Sequence, residues 1–120
     1  MRKLLGLLSL LLSASVTLPA LAGPNDCDKG DALMGPNCVH TETVNVRGMN
    51  YSSSVVYRVK GGTKTIVWAD QGTVEKSTAA YLIVDQLVEG DDGYTTFDLV
   101  RYNWNAKLHC YARPGGCYLK

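Results

Sequence analysis

From residue 38 onward, hydrophobic and polar residues alternate over short runs, a pattern that indicates β-strands. In the run CVHTETVNV (residues 38–46), every second residue from Cys38 through His40 to Glu42 falls on one face. The same run is rich in β-branched residues, which favour extended backbone. We therefore predict a strand over residues 38–46.

A hairpin follows directly. The runs Ser52–Lys60 and Thr63–Ala69 are both rich in β-branched residues, and the dipeptide Gly61-Gly62 joins them. Glycine adopts the positive φ angles that tight hairpin turns require. The two runs therefore predict an antiparallel pair of strands.

The segment STAAYLIVDQLVEG is ambiguous, because its hydrophobic residues fit two periods. Helical spacing relates the apolar residues from Ala80 to Val88, with a possible cap at Ser77 or Thr78. In contrast, YLIV is a β-prone block, and EGDDGY before TTFDLVRYN resembles a turn that leads into an antiparallel partner. We favour a strand over residues 78–89.

The two ends of the remaining chain differ. The runs AKLHCYA and CYLK predict a short terminal hairpin, whereas residues 23–37 are rich in Gly, Pro, Asn and Asp and predict an irregular N-terminal arm. The predicted fold is all-β: a small antiparallel β-sandwich or barrel-like meander of about six or seven short strands, stabilised by disulfides. Trp68 and Phe97 are assigned to its core.

The first residues predict a signal peptide that covers residues 1–22. Arg2 and Lys3 precede an apolar run over residues 4–18, and the tripeptide Ala-Leu-Ala at 20–22 supplies the small residues that signal peptidase reads. The run is interrupted by serines and is shorter than a bilayer span. We therefore expect export to the periplasm or the medium of a bacterium, with no membrane insertion after cleavage.

Cleavage would leave residues 23–120 as a single domain, 98 of the 120 residues. The whole chain has 12 Lys and Arg against 11 Asp and Glu, so loss of two cations with residues 1–22 changes the formal charge from +1 to −1. A nucleic-acid binder needs an excess of cations to displace counterions from phosphates. No nucleic acid is therefore expected as a partner.

Four cysteines, Cys27, Cys38, Cys110 and Cys117, lie in the exported part. An even number of cysteines in an oxidising compartment predicts two disulfides. The C-x2-C spacing of structural zinc sites is absent, and neither a metal nor another cofactor is expected. Of three possible connectivities, the local pairs Cys27–Cys38 and Cys110–Cys117 are preferred because they close the shortest loops. A nested or crossed pairing would instead tie the N-terminal arm to the terminal hairpin.

The register of the terminal hairpin bears on this pairing. The Pro-Gly dipeptide at 114–115 suits a tight type II turn, in which Ala112 lies opposite Cys117. Cys110 and Cys117 are then diagonal and are expected to be too far apart for a bridge, so both would pair with the N-terminal arm. A wider loop would place Cys110 opposite Cys117 and leave Arg113 at the tip of a locally bridged projection.

Strand alternation through this hairpin predicts a covered face with Leu108 and Cys110 and an outer face with His109 and Tyr111. Aromatic residues interleaved with cations are enriched at protein interfaces. The same residues also fit an ordinary exposed sheet, in which paired tyrosines and edge lysines serve stability alone. Our first hypothesis is a non-enzymatic protein-binding module of the inhibitor, immunity or adhesion type. Its predicted contact residues are Tyr102, Trp104, His109, Tyr111, Arg113, Tyr118 and Lys120.

The alternative hypothesis is a small secreted hydrolase such as a ribonuclease. Two imidazoles would exchange protons near neutral pH while an arginine neutralises the phosphate. The available residues are His40, Glu42, Arg101 and His109. This chemistry requires both imidazoles to reach one substrate, roughly 5 to 8 Å apart. No motif relates their spacing, so the non-enzymatic hypothesis is preferred.

Overall fold

A computed structural model describes residues 26–113 and 116–117, which form nine strands. In chain order these are β1 (Ala32–Met34), β2 (Asn37–Val46), β3 (Met49–Lys60), β4 (Thr63–Gln71), β5 (Thr73–Ser77), β6 (Tyr81–Glu89), β7 (Thr95–Asn105), β8 (Cys110–Arg113) and β9 (Gly116–Cys117). Within these ranges no helix is long and apolar enough to span a membrane.

The strands form two antiparallel sheets in sequential order. One sheet has the order β1-β2-β3-β4 and the other β9-β8-β7-β6-β5, so within each sheet every strand pairs with its neighbours in the chain. The predicted all-β antiparallel fold is confirmed, and residues 81–89 of the ambiguous segment form a strand. The number of strands was underestimated, because β1 lies in the arm expected to be irregular and β5, with the sequence TVEKS, has little apolar pattern.

Gly72 is the corner at which the chain passes from one sheet to the other. Its φ is +120°, and a Cβ there would lie 2.8 Å from the backbone oxygen of Asp85. Its amide donates to the carbonyl of Ser52 over 2.7 Å, and its carbonyl accepts from Ser54 Oγ over 2.7 Å. Only glycine combines this conformation with so close an approach. The corner holds β5 against the end of β4 and fixes the relative position of the sheets.

The core lies between the sheets and is built from one face of each. Trp68 is completely buried, as predicted, and its ring centroid lies 5.3 Å from that of Tyr102 on the facing sheet. Phe97 was wrongly assigned to the core, since 61% of its surface is exposed. Alternation along β7 places Phe97 on the face opposite Tyr102. The buried core residues are Val39, Val56, Val67, Trp68, Val74, Leu82, Val84, Tyr102 and Tyr111.

Two disulfides join Cys27 to Cys38 and Cys110 to Cys117, which is the preferred local pairing. The first bridge has a Cα separation of 5.4 Å and holds the segment before β1 against β2. Disulfides persist in oxidising compartments, so the pairing indicates an environment outside the reducing cytoplasm.

The register of the terminal hairpin corrects one expectation. Cys117 pairs with Ala112 and Gly116 with Arg113, which is the register of the tight turn, although residues 114–115 themselves lie outside the described residues. Cys110 and Cys117 are diagonal as expected, yet they are bridged at a Cα separation of 6.3 Å. Twist brings one diagonal of an antiparallel pair closer than in a flat sheet, and disulfides accept Cα separations up to about 6.8 Å. The tight register and the local bridge are therefore compatible.

Candidate functional site

Two pockets lie on opposite faces of the β3–β4 hairpin. Successive side chains of a strand point to opposite faces, so Tyr57 and Ile66 line one pocket whereas Arg58 and Thr65 line the other. The outer pocket has a volume of about 310 Å³ and is named the His40 pocket. The inner one, about 240 Å³, opens between the sheets and is named the Arg58 pocket. The His40 pocket is lined by Asp28, Lys29, Asp31, His40, Val55, Tyr57, Lys64 and Ile66. The Arg58 pocket is lined by Arg58, Lys60, Thr65, Val67, Trp104 and His109.

Both nitrogens of His40 are engaged by carboxylates. Nδ1 lies 2.7 Å from Asp31 Oδ1 and Nε2 lies 3.1 Å from Glu42 Oε2. The Tyr57 hydroxyl donates to the second oxygen of Asp31 and accepts from the amide of Asp28 over 2.8 Å. The Asp31 side chain is only 6% exposed, so this cluster satisfies its buried carboxylate.

Hydrogen bonds and burial shift the pKa values of four side chains in this pocket. The hydrogen bond from Tyr57, followed by that from His40, holds the pKa of Asp31 below its usual value. The hydrogen bonds to Asp31 and Glu42 raise the pKa of His40. Burial, together with the hydrogen bond to Asp31, raises the pKa of Tyr57, and a hydrogen bond to Asp28 raises the pKa of Lys64. The arrangement stabilises the protonated form of His40, and both of its ring nitrogens are engaged by carboxylates.

The disulfide Cys27–Cys38 explains why this cluster forms. It anchors the arm beside β2, and the turn that follows is closed by the amide of Asp31, which donates to the carbonyl of Asp28 over 3.0 Å. Asp28 then receives a hydrogen bond from Lys64 on β4. The polar contacts of the His40 pocket therefore hold residues 27–31 against the sheet.

The Arg58 pocket contains a half-buried cation with neutral partners. Arg58 Nε donates to Asn37 Oδ1 over 2.8 Å, and Nη2 donates to the hydroxyl of Tyr111 over 3.0 Å. Its guanidinium carbon lies 4.3 Å from the ring centroid of Trp104, a cation–π distance. Within residues 26–113 and 116–117, no carboxylate forms an ion pair with Arg58.

Asn37 holds this arrangement in place and is completely buried. Its Nδ2 lies 2.5 Å from Ser77 Oγ, 3.0 Å from the hydroxyl oxygen of Tyr111 and 3.2 Å from the carbonyl oxygen of Thr78, so its two N–H groups are shared among three acceptors. Tyr111 in turn donates to the carbonyl of Thr78 over 2.7 Å. The network crosses from one sheet to the other and therefore sets the orientation of the guanidinium.

The predicted aromatic face is corrected by burial. Tyr102 and Tyr111 are completely buried and face the core, so neither can contact a partner. Residues 106–109 form a turn, which means that strand alternation could not be extended through them to Tyr111. Arg113 is exposed, but its guanidinium lies over the Tyr102 ring at 5.7 Å. Trp104 and His109 line the Arg58 pocket, whereas Tyr118 and Lys120 lie outside the described residues.

The alternative catalytic set is not brought together. His40 and His109 line the two pockets on opposite faces of the β3–β4 hairpin, so they do not flank one substrate. Glu42 is bonded to His40, whereas Arg101 lies on the other sheet with its guanidinium carbon 4.0 Å from the ring centroid of Tyr81. The geometry that a two-histidine ribonuclease needs is therefore absent among these residues.

Two-stranded ribbons extend beyond the packed part of both sheets, and their apolar residues point outward. The β2–β3 ribbon is defined as residues 43–52 and the β6–β7 ribbon as residues 87–99. In the first, Val46 pairs with Met49; in the second, Leu87 pairs with Phe97. The corresponding inward positions are mainly polar. The exposed large apolar residues of the ribbons are Val44, Val46, Met49, Tyr94, Phe97 and Leu99.

This outer apolar surface was not predicted from the sequence, although a signal for it is present in β7. Along β7 the apolar phase changes from the even positions Val100 and Tyr102 to the odd positions Phe97 and Leu99. Such a change within one strand moves apolar residues from the core face to the outer face.

Comparison of the chain with protein families, with curated proteins and with solved structures finds no match.

Proposed function

We propose that the chain is an exported, non-enzymatic protein-binding module whose contact surface is the outer face of the two ribbons. The observation that carries this proposal is the reversed polarity of the ribbons, where apolar residues point outward and polar residues inward. A half-solvated antiparallel sheet normally has the opposite arrangement. Phe97 and Leu99 are 61% and 62% exposed, so their side chains contribute little buried apolar surface to the stability of the isolated chain.

The apolar positions are adjacent within each ribbon. Phe97 lies directly opposite Leu87 and two residues from Leu99 on the same face. Val44 lies opposite Tyr51, next to the pair of Val46 and Met49. Leu87 and Tyr51 are half-buried, so each ribbon combines exposed and half-buried apolar residues on one face. Such neighbouring apolar residues are typical of surfaces that a protein partner covers.

Export is supported by the N-terminal sequence. A basic start, an apolar run over residues 4–18 and the Ala-Leu-Ala tripeptide form a signal-peptide pattern. The two disulfides fit an oxidising destination such as the periplasm or the medium of a bacterium. A binding module of this kind would act outside the cytoplasm.

The experiment compares capture by the wild-type protein with capture by ribbon variants. Each protein, purified after export and immobilised, is exposed to culture fluid and envelope extract of its source, and bound proteins are quantified by mass spectrometry. The ribbon variants are Phe97→Ser with Leu99→Ser, and Val46→Ser with Met49→Ser. We expect at least one ribbon variant to lose a partner that the wild type retains, with thermal unfolding unchanged.

The matched control is the double variant Ile66→Ser with Leu108→Ser. These residues are exposed by 57% and 59% but lie outside the ribbons. The control should retain the partner, since it removes a similar apolar surface elsewhere. Identical capture by the wild type and both ribbon variants would contradict the proposed surface.

A further inference from the structure

We propose that the Arg58 pocket binds an oxyanion group, a carboxylate, phosphate or sulfate, through the free edge of the Arg58 guanidinium. This site is separate from the ribbon surface and does not depend on it. The first observation is the missing counter-charge. A half-buried cation is ordinarily paired with an acid, because desolvation of an unpaired charge is costly. Among the described residues, Arg58 has only neutral hydrogen-bond partners, Asn37 and Tyr111.

The unused donors of Arg58 are the second observation. A guanidinium has five N–H donors, and its planar edge matches the two oxygens of a carboxylate or phosphate. Hydrogen bonds to Asn37 and Tyr111 engage Nε and Nη2, whereas no described residue accepts from Nη1. Nη1 therefore remains available to an oxyanion.

The lining of the pocket is the third observation. Lys60 and His109 line the same 240 Å³ space, and none of the residues that line it is acidic. Both side chains are exposed; the Lys60 ammonium adds positive potential, and both side chains can add hydrogen bonds. The His40 pocket, on the opposite face of the same hairpin, contains two aspartates that pair with its cations. The absence of acids is thus a property of this pocket and not of the whole hairpin.

The arrangement is rigid in advance of binding. Asn37 is completely buried and fixes Nε, while Trp104 stacks on the guanidinium at 4.3 Å. A ligand therefore meets a donor edge whose orientation is already set, which reduces the entropy lost on binding.

The test titrates the purified protein with inorganic phosphate and, separately, with acetate, each exchanged against chloride at constant ionic strength. Trp104 lies against Arg58, whereas Trp68 is completely buried, so tryptophan fluorescence reports on the pocket. We expect a saturable change with at least one anion. A response to phosphate alone assigns a phosphate or sulfate ligand, and a response to acetate alone assigns a carboxylate. No saturable change with either anion would overturn the proposal.

Two variants separate a defined site from general attraction to cations. Lys60→Gln removes a cation that lines the pocket, and we expect it to weaken binding about tenfold. Lys107→Gln is the matched control, since Lys107 is exposed in the neighbouring turn but does not line the pocket. Equal weakening by both variants would show only non-specific electrostatics and would contradict the site.

A third variant closes the site without disturbing its hydrogen-bond network. Thr65 is exposed and lies directly opposite Arg58 across the β3–β4 ladder. The change Thr65→Glu supplies the missing carboxylate from within the chain. We expect it to abolish the saturable fluorescence change while the protein stays folded. An undiminished response of this variant would also overturn the proposal.

Discussion

The His40 and Arg58 pockets lie on opposite faces of one hairpin, yet their charges are arranged in opposite ways. In the His40 pocket, Asp31 and Glu42 engage His40, while Asp28 engages Lys64. In the Arg58 pocket, the described partners of the cation are neutral. Paired charges hold parts of the fold together, whereas a preoriented cation without a counter-charge is ready for a ligand. Similar residue types on one hairpin can therefore serve stability on one face and recognition on the other.

The largest expected loss of stability comes from a change that disrupts the His40 pocket and leaves the Arg58 pocket intact. Replacing Cys27 and Cys38 together with alanine removes the covalent link between residues 27–31 and β2, which weakens the contacts of Asp28 and Asp31 with the sheet. Loss of a bridge that closes a loop of this size costs roughly 3 kcal/mol of unfolding free energy. Urea denaturation measures this loss.

In the same Cys27→Ala, Cys38→Ala protein, the anion titration serves as the control. The Arg58 pocket is held by Asn37 at the start of β2 and by the contact between the two sheets, and not by residues 27–31. Its response should therefore persist under conditions in which the variant is folded. Loss of the anion response together with the arm would show that the two pockets are not independent.

A smaller loss of stability is expected from a change that disrupts the Arg58 pocket. Asn37→Ala removes the acceptor of Arg58 Nε and leaves buried polar groups without partners, which costs about 2 kcal/mol. Urea denaturation measures the loss, and the fluorescence response to phosphate or acetate should weaken with it. The exposed substitution Glu42→Gln on the opposite face is the control, and it should leave the anion response unchanged. A normal anion response of the Asn37→Ala protein would contradict the role assigned to Asn37.

The smallest expected effect is a pH dependence confined to the His40 pocket. The pKa of Asp31 lies below 3.8 in the folded protein, so its contribution is present above that pH and is lost as pH falls through the lowered pKa. The pKa of His40 lies above 6.5, so its contribution is complete below that pH and is lost as pH rises through the raised pKa. Both contributions are therefore complete between about pH 4 and pH 6.5.

Thermal unfolding measured at several pH values tests this window. The melting temperature of the wild type should fall as pH rises from about 6 to about 9, and that of a His40→Gln variant should fall less. Parallel curves for the two proteins would show that the contacts of His40 with Asp31 and Glu42 do not contribute to stability.

The predictability of this molecule differed between its elements for physical reasons. The strand at residues 81–89 was correctly favoured because a hairpin partner follows it closely in sequence. The local disulfides were correctly preferred because short loops cost little to close. Tyr111 was misplaced because a four-residue turn interrupts the alternation just before it, and turn geometry does not transmit strand phase. Phe97 was misplaced because hydrophobicity alone does not tell which face of a strand is covered.

Local patterns therefore determined most of the long strands, which of them pair as hairpins and which cysteines join, because each of these depends on residues close in sequence. They did not reveal β1, which is only three residues long, or β5, which has little apolar pattern of its own. The meeting of Asn37, Arg58 and Tyr111, residues from three separate strands, was decided by how the two sheets pack. The same packing covered one half of each sheet and left the ribbons outside it. Whether a strand residue is buried depends on whether the other sheet covers its face. The local sequence pattern does not specify which part of each sheet is covered, because that depends on how the two sheets pack.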